Sequence, residues 1–229
     1  MTSVLAERLT AVCHRVDAAA SDCGRDPAAI TLISVSKTFP AEVVNEAVAA
    51  GATDLGENRV QEALAKKPGV SAARWHLIGP LQRNKARAAL EVFDIVHTVD
   101  RCEIADRLQY LLVEHWPGRR LDVLLEINVA DEPQKAGAFP EEAGELLDHV
   151  LGCDRLLVRG LMAIPPWAED PEASRPWFRK LRELRDRLEG ERGHPLPELS
   201  MGMSHDFEIA IAEGATMVRV GTAIFGSRG

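Results

Sequence analysis

The segment I-T-L-I-S-V-S at residues 30–36, which Lys37 follows directly, is the first of eight short apolar runs in this chain. The others lie at 54–56, 75–79, 95–99, 123–129, 158–164, 199–203 and 217–221. Several are almost continuously apolar, which is typical of parallel strands that are covered on both faces. Segments with helical spacing separate the runs, so strand and helix alternate along the chain.

An additional helix is predicted before the first strand, where Leu5, Leu9, Val12 and Val16 would share one face. The tetrapeptide at 100–103, D-R-C-E, predicts a capping box for a later helix. Alternating strands and helices fit either a doubly wound sheet or a barrel, and the count of eight strands favours the (β/α)8 TIM barrel. No linker, repeat or low-complexity segment divides the chain. We therefore predict one α/β domain over residues 1–229, with an extra N-terminal helix.

The composition restricts the class of partner. The 229 residues carry a formal net charge of −8. An acidic chain has no excess of Lys and Arg to displace counterions from a nucleic-acid backbone, so we expect no nucleic-acid partner. No apolar run approaches the ~18 residues of a membrane span, and the N-terminus has no signal-peptide pattern. We expect a cytoplasmic protein that has no membrane partner.

The cysteines indicate free thiols rather than a disulfide framework or a metal centre. Cys13, Cys23, Cys102 and Cys153 have no C-x-x-C spacing and no neighbouring histidine at the usual ligand spacing. We assign no metal ligand.

Lys37 ends the first predicted strand, and functional side chains of such barrels lie at the carboxyl ends of the strands. Partial burial lowers the pKa of an amine, and the neutral amine attacks an aldehyde. The alternative is an ordinary surface lysine at the end of a strand.

Two further positions have both a functional and a structural interpretation. His76 alternates with Trp75 and Leu77, so it could face a ligand inside the barrel or be a satisfied core histidine. Asn58, which follows Glu57 after the second strand, could line the site or cap the next helix.

The C-terminal part of the chain predicts a phosphate site. The runs L-S-M-G-M-S at 199–204 and V-R-V-G-T at 218–222 end the last two strands, whose loops commonly bind phosphate in these barrels. The candidate residues are the glycines and hydroxyls of the two runs: Ser200, Gly202, Ser204, Gly221 and Thr222. Alternatively, Ser204 only caps the following helix.

Arg219 alternates with Val218 and Val220, so it should point into the barrel and needs an acceptor there. That acceptor could be a carboxylate such as Glu126, or a ligand. A lysine able to form a Schiff base and a phosphate site at the same barrel mouth together suggest a phosphorylated aldehyde. Pyridoxal 5′-phosphate (PLP) fits this description.

These residues resemble the family of pyridoxal phosphate homeostasis proteins over nearly the whole chain. The shared motifs are S-V-S-K at 34–37, G-E-N-R-V-Q-E at 56–62, W-H-L-I-G-P-L-Q-R-N-K at 75–85, H-T-V-D-R at 97–101, I-N-V at 127–129, K-A-G at 135–137, G-L-M-A-I at 160–164, L-S-M-G-M-S-H-D at 199–206 and V-R-V-G-T-A-I-F-G-S-R at 218–228. The resemblance implies a barrel like the N-terminal domain of alanine racemase, with PLP on Lys37 and Arg219 at the pyridine nitrogen. It also implies that Ser204, Gly221 and Thr222 hold the phosphate, with Ser200 or Gly202 nearby.

Arg59 departs from the family pattern, which often has an aromatic residue at this position, so we assign it no contact. Lys135 follows a variable loop and is also given no role.

The resemblance favours a protein that buffers or delivers PLP over an enzyme. An arginine at the ring nitrogen leaves that nitrogen unprotonated, which makes the ring a weaker electron sink. Alanine racemase takes its second base, a tyrosine, from an additional domain. Here the one tyrosine, Tyr110, is predicted within a helix, and the chain ends eight residues after Gly221.

We therefore expect no dedicated substrate turnover. The partners would be PLP and PLP-dependent apo-enzymes, and the protein would be a monomer. The alternatives are a weak amino-acid racemase, an aldolase-type barrel that works through a Schiff base without a cofactor, and an adaptor with no ligand.

Overall fold

The strands close into one parallel barrel in sequence order. A computed structural model describes residues 3–70 and 72–226, and in it β1 pairs with both β2 and β8. The strands are β1 (Thr31–Val35), β2 (Asp54–Glu57), β3 (Arg74–Leu77), β4 (Ile95–Val99), β5 (Leu121–Glu126), β6 (Leu156–Met162), β7 (Glu198–Met203) and β8 (Met217–Val220).

Helices cover the outside of the barrel and connect its strands. In the described residues they are α1 (Val4–Asp22), α2 (Ala41–Ala49), α3 (Val60–Lys66), α4 (Ala86–Val92), α5 (Cys102–His115), α6 (Ala143–Leu151), α7 (Arg175–Arg192), α8 (Phe207–Ala212) and α9 (Thr222–Phe225). The N-terminal helix α1 packs on α8 and α9. No helix in the described part of the chain is long and apolar enough to cross a bilayer.

The predicted TIM barrel is confirmed, and each predicted strand overlaps an observed one. The fifth strand ends at Glu126 rather than at 129. Beyond it, the Asn128 side chain bonds the backbone N–H and carbonyl of Glu132 in the following loop. The predicted capping box at 100–103 is wrong. Arg101 is the N-cap of α5 without a side-chain cap, and the Asp100 carboxylate accepts from Arg101 instead.

The core has an outer and an inner part. The outer part lies between helices and sheet and includes the predicted stripe of α1. A small separate cluster of apolar residues comprises Ile33, Ile95, Leu124, Met162 and Met217. Three of these five residues are followed, two positions further along the strand, by a buried polar residue: His97, Glu126 or Arg219. Val35 and Ile164 follow the other two. Parallel strands thus carry buried polar side chains toward their carboxyl ends, where function is expected.

Candidate functional site

A cavity of about 240 Å³ opens at the carboxyl ends of the strands. It is lined by Val35, Lys37, Asn58, Ile78, Ile164, Met203, Ser204, His205, Arg219, Gly221 and Thr222. Six of the nine residues predicted for the site therefore line this one cavity: Lys37, Asn58, Ser204, Arg219, Gly221 and Thr222. Larger cavities open elsewhere, for example between α1 and α8, and Asn58 is the only one of these six residues that lines any of the three.

A buried ion pair fixes the backbone that carries Lys37. Glu57 accepts from Lys66 Nζ at 2.6 Å and from the Ser36 hydroxyl at 2.7 Å. Lys66 also donates to the Ser36 carbonyl at 2.9 Å. Burial raises the pKa of Glu57, although its bonds with Lys66 and Ser36 oppose the shift. The residue preceding Lys37 is therefore held through both its hydroxyl and its carbonyl.

The residue after Lys37 is held as well. Thr38 has a left-handed φ of 72°, which is uncommon for a β-branched residue. Its N–H donates to Glu62 Oε2 at 3.0 Å. Strain of this kind persists only where the surroundings enforce it. The structure thus determines the backbone on both sides of the candidate anchor.

Replacing Lys66 with methionine should lower the free energy of unfolding by about 3–5 kcal/mol, because Glu57 would remain buried without its cation. Urea denaturation measures the loss. The double variant Glu57→Gln/Lys66→Met, which removes both charges, should recover most of it. If Lys66→Met lowered the free energy of unfolding by less than about 1 kcal/mol, the result would contradict the importance assigned to the Glu57–Lys66 pair.

Ser204 connects the loops that follow β7 and β8. Its hydroxyl accepts from the backbone N–H of Gly221 at 3.2 Å and of Ala223 at 3.4 Å. The alternative that Ser204 caps the following helix is wrong, because Asp206 is the N-cap of α8. Two hydroxyls, those of Ser204 and Thr222, therefore meet at one edge of the cavity.

The two glycines predicted for the phosphate site differ in role. Gly202 has a φ of 89°, and a Cβ there would lie 2.5 Å from the Ala210 Cβ. It is buried and does not line the cavity, so packing against α8 explains why glycine stands there. A Cβ on Gly221 would meet Val35 only at 3.4 Å, an ordinary contact. The fold does not require glycine at 221, and its absent side chain leaves room in the cavity.

Arg219 points into the barrel as predicted, but its acceptors differ from those expected. Nη1 donates to Ser200 Oγ at 2.7 Å, and Nη2 donates to the Ala163 carbonyl at 2.9 Å. Glu126 makes no hydrogen bond to it and acts only through its charge. Burial lowers the pKa of Arg219 to about 10, so the guanidinium stays charged at neutral pH.

Glu126 is a buried carboxyl without a full set of partners. Its Oε2 has no hydrogen bond among the described residues. Burial, together with the charge of Asp100, raises its pKa to about 7 against the opposing effect of Arg219. Glu126 therefore takes up a proton on folding near neutral pH.

The Glu126→Gln variant should differ from the wild type in the pH dependence of stability. The folded-state pKa of about 7 lies above the ordinary value of 4.5, so the wild type loses stability as the pH rises between these values. The variant lacks that loss, and its advantage should grow by up to about 3 kcal/mol between pH 4.5 and pH 8. Denaturation at several pH values measures this, with the exposed Glu42→Gln as control. A constant difference would contradict the shifted pKa.

Two other predicted cofactor contacts lie behind the cavity wall. His76 and Ser200 are fully buried and do not line it. Ser200 contacts Arg219, and His76 is separated from Ser200 by His97, a residue that the sequence analysis did not single out. The structure places His76 outside the cavity lining, and its two bonded ring nitrogens fit the alternative interpretation as a satisfied core histidine.

Sequence reasoning also missed the apolar side of the cavity and His205. Val35, Ile78, Ile164 and Met203 belong to strand ends whose apolar residues gave no functional signal. His205 follows Ser204 in the motif shared with the family, donates from Nε2 to the Glu169 carbonyl at 2.9 Å, and stacks on the exposed Trp167. Asn58 does line the cavity, and Gly79 packs against its backbone, where a Cβ would lie 2.3 Å from the Asn58 carbonyl.

Other groups flagged from the sequence lie elsewhere. The cysteines are free, and Cys153 lies beside His149 and Asp106. The sequence analysis did not recognise this spacing, but His149 and Asp106 already bond each other at 2.7 Å, and we assign no metal there. Lys135 pairs with Glu132, and Arg59 lies near Glu62. Tyr110 is 56% exposed on α5 and does not line the cavity.

The sequence matches the family profile described as "Alanine racemase, N-terminal domain" over residues 9–229. The pyridoxal phosphate homeostasis protein of Aquifex aeolicus is 46% identical over 224 residues, which cover 97% of each chain. That of Escherichia coli K12 is also 46% identical, over 98% of this chain and 97% of its own. This chain belongs to the pyridoxal phosphate homeostasis protein family.

Solved structures agree with this family membership. This chain resembles PipY of Synechococcus elongatus PCC7942 at a TM-score of 0.83 and 37% sequence identity. That structure of PipY was solved with PLP bound. The likeness covers 97% of this chain and 100% of PipY. Alanine racemase of Clostridium difficile 630 shares the fold at a TM-score of 0.76 but only 14% identity, and the match covers 57% of that enzyme.

Proposed function

We propose that this protein binds PLP as a Schiff base on Lys37 and buffers or delivers the cofactor without dedicated substrate turnover. The observation that carries the proposal is the convergence of Lys37, Arg219 and the Ser204–Thr222 edge on one cavity. The names of the relatives and the PLP-bound PipY structure support the choice of ligand.

The described residues fit PLP group by group. Lys37 offers the amine that condenses with an aldehyde, releasing water. Ser204 and Thr222 offer hydroxyl donors for a phosphate. Ser204 itself is held in place by the N–H groups of Gly221 and Ala223. Arg219 offers a cation that keeps its proton at neutral pH and so leaves the pyridine nitrogen as an acceptor.

Bound PLP supplies an electrophilic imine carbon and a ring that can delocalise electrons. The arginine weakens the second property, which favours storage over carbanion chemistry. Storage also requires release, so we propose transfer of PLP to apo-enzymes in the cytoplasm, with the protein acting as a monomer.

The test combines transfer and turnover. The protein is loaded with PLP, freed of excess cofactor and mixed with an apo-transaminase, whose recovered activity reports delivery. In parallel, the loaded protein is incubated with single L-amino acids, and the D-isomers are quantified. Recovery of the transaminase without D-isomers supports the proposal, whereas saturable racemisation that is lost in Lys37→Ala would replace it with an enzyme.

One observation favours the racemase alternative enough to design a control. Besides Lys37 and Arg219, His205 is the only titratable side chain among the described residues that line the cavity. A racemase needs a second proton-transferring group, and Tyr110 is too remote to provide it. If racemisation occurs, His205→Asn should abolish it while leaving PLP uptake unchanged.

A further inference from the structure

A continuous series of hydrogen bonds crosses the barrel interior behind Arg219. Arg219 Nη1 lies 2.7 Å from Ser200 Oγ, and Ser200 Oγ lies 2.9 Å from His97 Nδ1. His97 Nε2 lies 2.9 Å from His76 Nδ1, and His76 Nε2 lies 2.8 Å from Asp54 Oδ1. Ser200, His97 and His76 have no appreciable exposure, so water does not compete for these bonds.

The two ends of the series determine its direction. A guanidinium only donates, so Ser200 accepts from Arg219, and a carboxylate only accepts, so His76 Nε2 donates to Asp54. With one proton on each ring, Ser200 then donates to His97 Nδ1. Burial lowers the pKa of His97 well below its ordinary value, so the ring is neutral and carries its proton on Nε2. His97 then donates to His76, whose remaining proton lies on Nε2 and faces Asp54, a carboxylate that only accepts.

Asp54 suits the acceptor end. It begins β2, and 14% of its side chain is exposed. Burial alone would raise its pKa, but hydrogen bonds from His76 and Thr53 outweigh this and lower it. The series therefore joins a charged donor at the cavity to a charged acceptor at the opposite end of the strands.

We propose that Asp54, His76, His97 and Ser200 are positioning residues that orient Arg219 toward the pyridine nitrogen of PLP. The proposal rests on the proposed PLP site. Each hydrogen bond determines which atom of the next residue carries the proton. Ser200 therefore holds Arg219 in one orientation toward the cavity. If these buried polar residues only stabilised the fold, the direction of their hydrogen bonds would have no effect on a ligand bound at Arg219.

The first test needs no cofactor. In the ¹⁵N-labelled protein at about pH 8, where histidine is ordinarily neutral, the imidazole spectra of His76 and His97 should show the Nε2–H tautomer. Assignment comes from the loss of each signal set in His76→Gln and His97→Gln. An Nδ1–H tautomer at either ring would reverse a link and overturn the proposal.

The second test changes residues that do not line the cavity and reads the effect on bound PLP. In Asp54→Ala, the ring-nitrogen signal of bound ¹⁵N-PLP should move toward that of an unbonded pyridine. Asp122→Ala is the matched control, because Asp122 also lies near the start of a strand and pairs with Arg74, but takes no part in the series. His97→Leu should show the same displacement and bind PLP about tenfold more weakly, as expected for one hydrogen bond to a charged group.

The conservative variant His97→Gln, which retains an acceptor and a donor, should restore much of the wild-type signal. An unchanged ring nitrogen in both Asp54→Ala and His97→Leu, in protein that still takes up PLP, would overturn this inference alone. A wild type that takes up no PLP would instead overturn the proposed function and this inference with it.

Discussion

The Lys37→Ala variant is expected to lose all PLP that resists dialysis, while its free energy of unfolding changes little. The lysine side chain extends into the cavity rather than into the core, so its removal leaves no packing defect, whereas the covalent bond disappears entirely. Noncovalent contacts at Arg219 and at the Ser204–Thr222 edge remain. The variant should therefore still bind PLP reversibly, which equilibrium titration measures.

Two control variants separate the effect of the Lys37 amine from the effect of its positive charge. Lys37→Arg keeps the positive charge but offers no amine that condenses with an aldehyde, and it should behave like Lys37→Ala. Lys135→Ala changes a lysine that pairs with Glu132 and should retain PLP as the wild type does. Dialysis-resistant PLP in Lys37→Ala would place the covalent anchor on another residue.

The second large effect is expected for Arg219→Met. This change removes the only charged hydrogen-bond donor that we assign to the ring nitrogen, and PLP should bind about 10- to 100-fold more weakly. The free energy of unfolding should also fall, by about 1–3 kcal/mol, because Ser200 and the buried Ala163 carbonyl lose their donor. PLP titration and urea denaturation measure the two properties separately.

Arg187→Met, on the solvent side of α7, is the control for the loss of an arginine and should leave PLP affinity unchanged. Arg219→Lys should recover only part of the affinity, since a single ammonium cannot reach Ser200, Ala163 and the ligand together. Wild-type affinity in Arg219→Met would exclude the assigned contact with the ring.

The barrel was predictable from the sequence because each strand and helix can be recognised from a short stretch of residues. Eight apolar runs with helical segments between them admit few topologies, and all eight runs overlap strands of the closed barrel. The positions of Lys37 and Arg219 followed from the same local reasoning, since one ends a strand and the other alternates with two valines. Strand ends were less predictable. The run at 123–129 continues beyond Glu126 with the apolar Ile127 and Val129, whereas β5 ends at Glu126 and Ile127 forms only an isolated bridge to Ala138.

The connections within the site were not predictable, because they join residues far apart in the chain. His97 and Ser200 are 103 residues apart, and nothing near either one indicates that they bond. Ser204 has the type and position of a helix cap, but its partners are the N–H groups of Gly221 and Ala223, which only the closure of the barrel brings close. The same applies to Glu126, whose distance from Arg219 depends on strand register.

The central claim is that Lys37 carries PLP covalently. The wild-type protein should be loaded with PLP, reduced with borohydride, digested and analysed by mass spectrometry. We predict one pyridoxyl-phosphate adduct, on Lys37, together with loss of the visible absorption band on reduction. An adduct on another lysine, or a protein that takes up no PLP and yields none, would contradict the account.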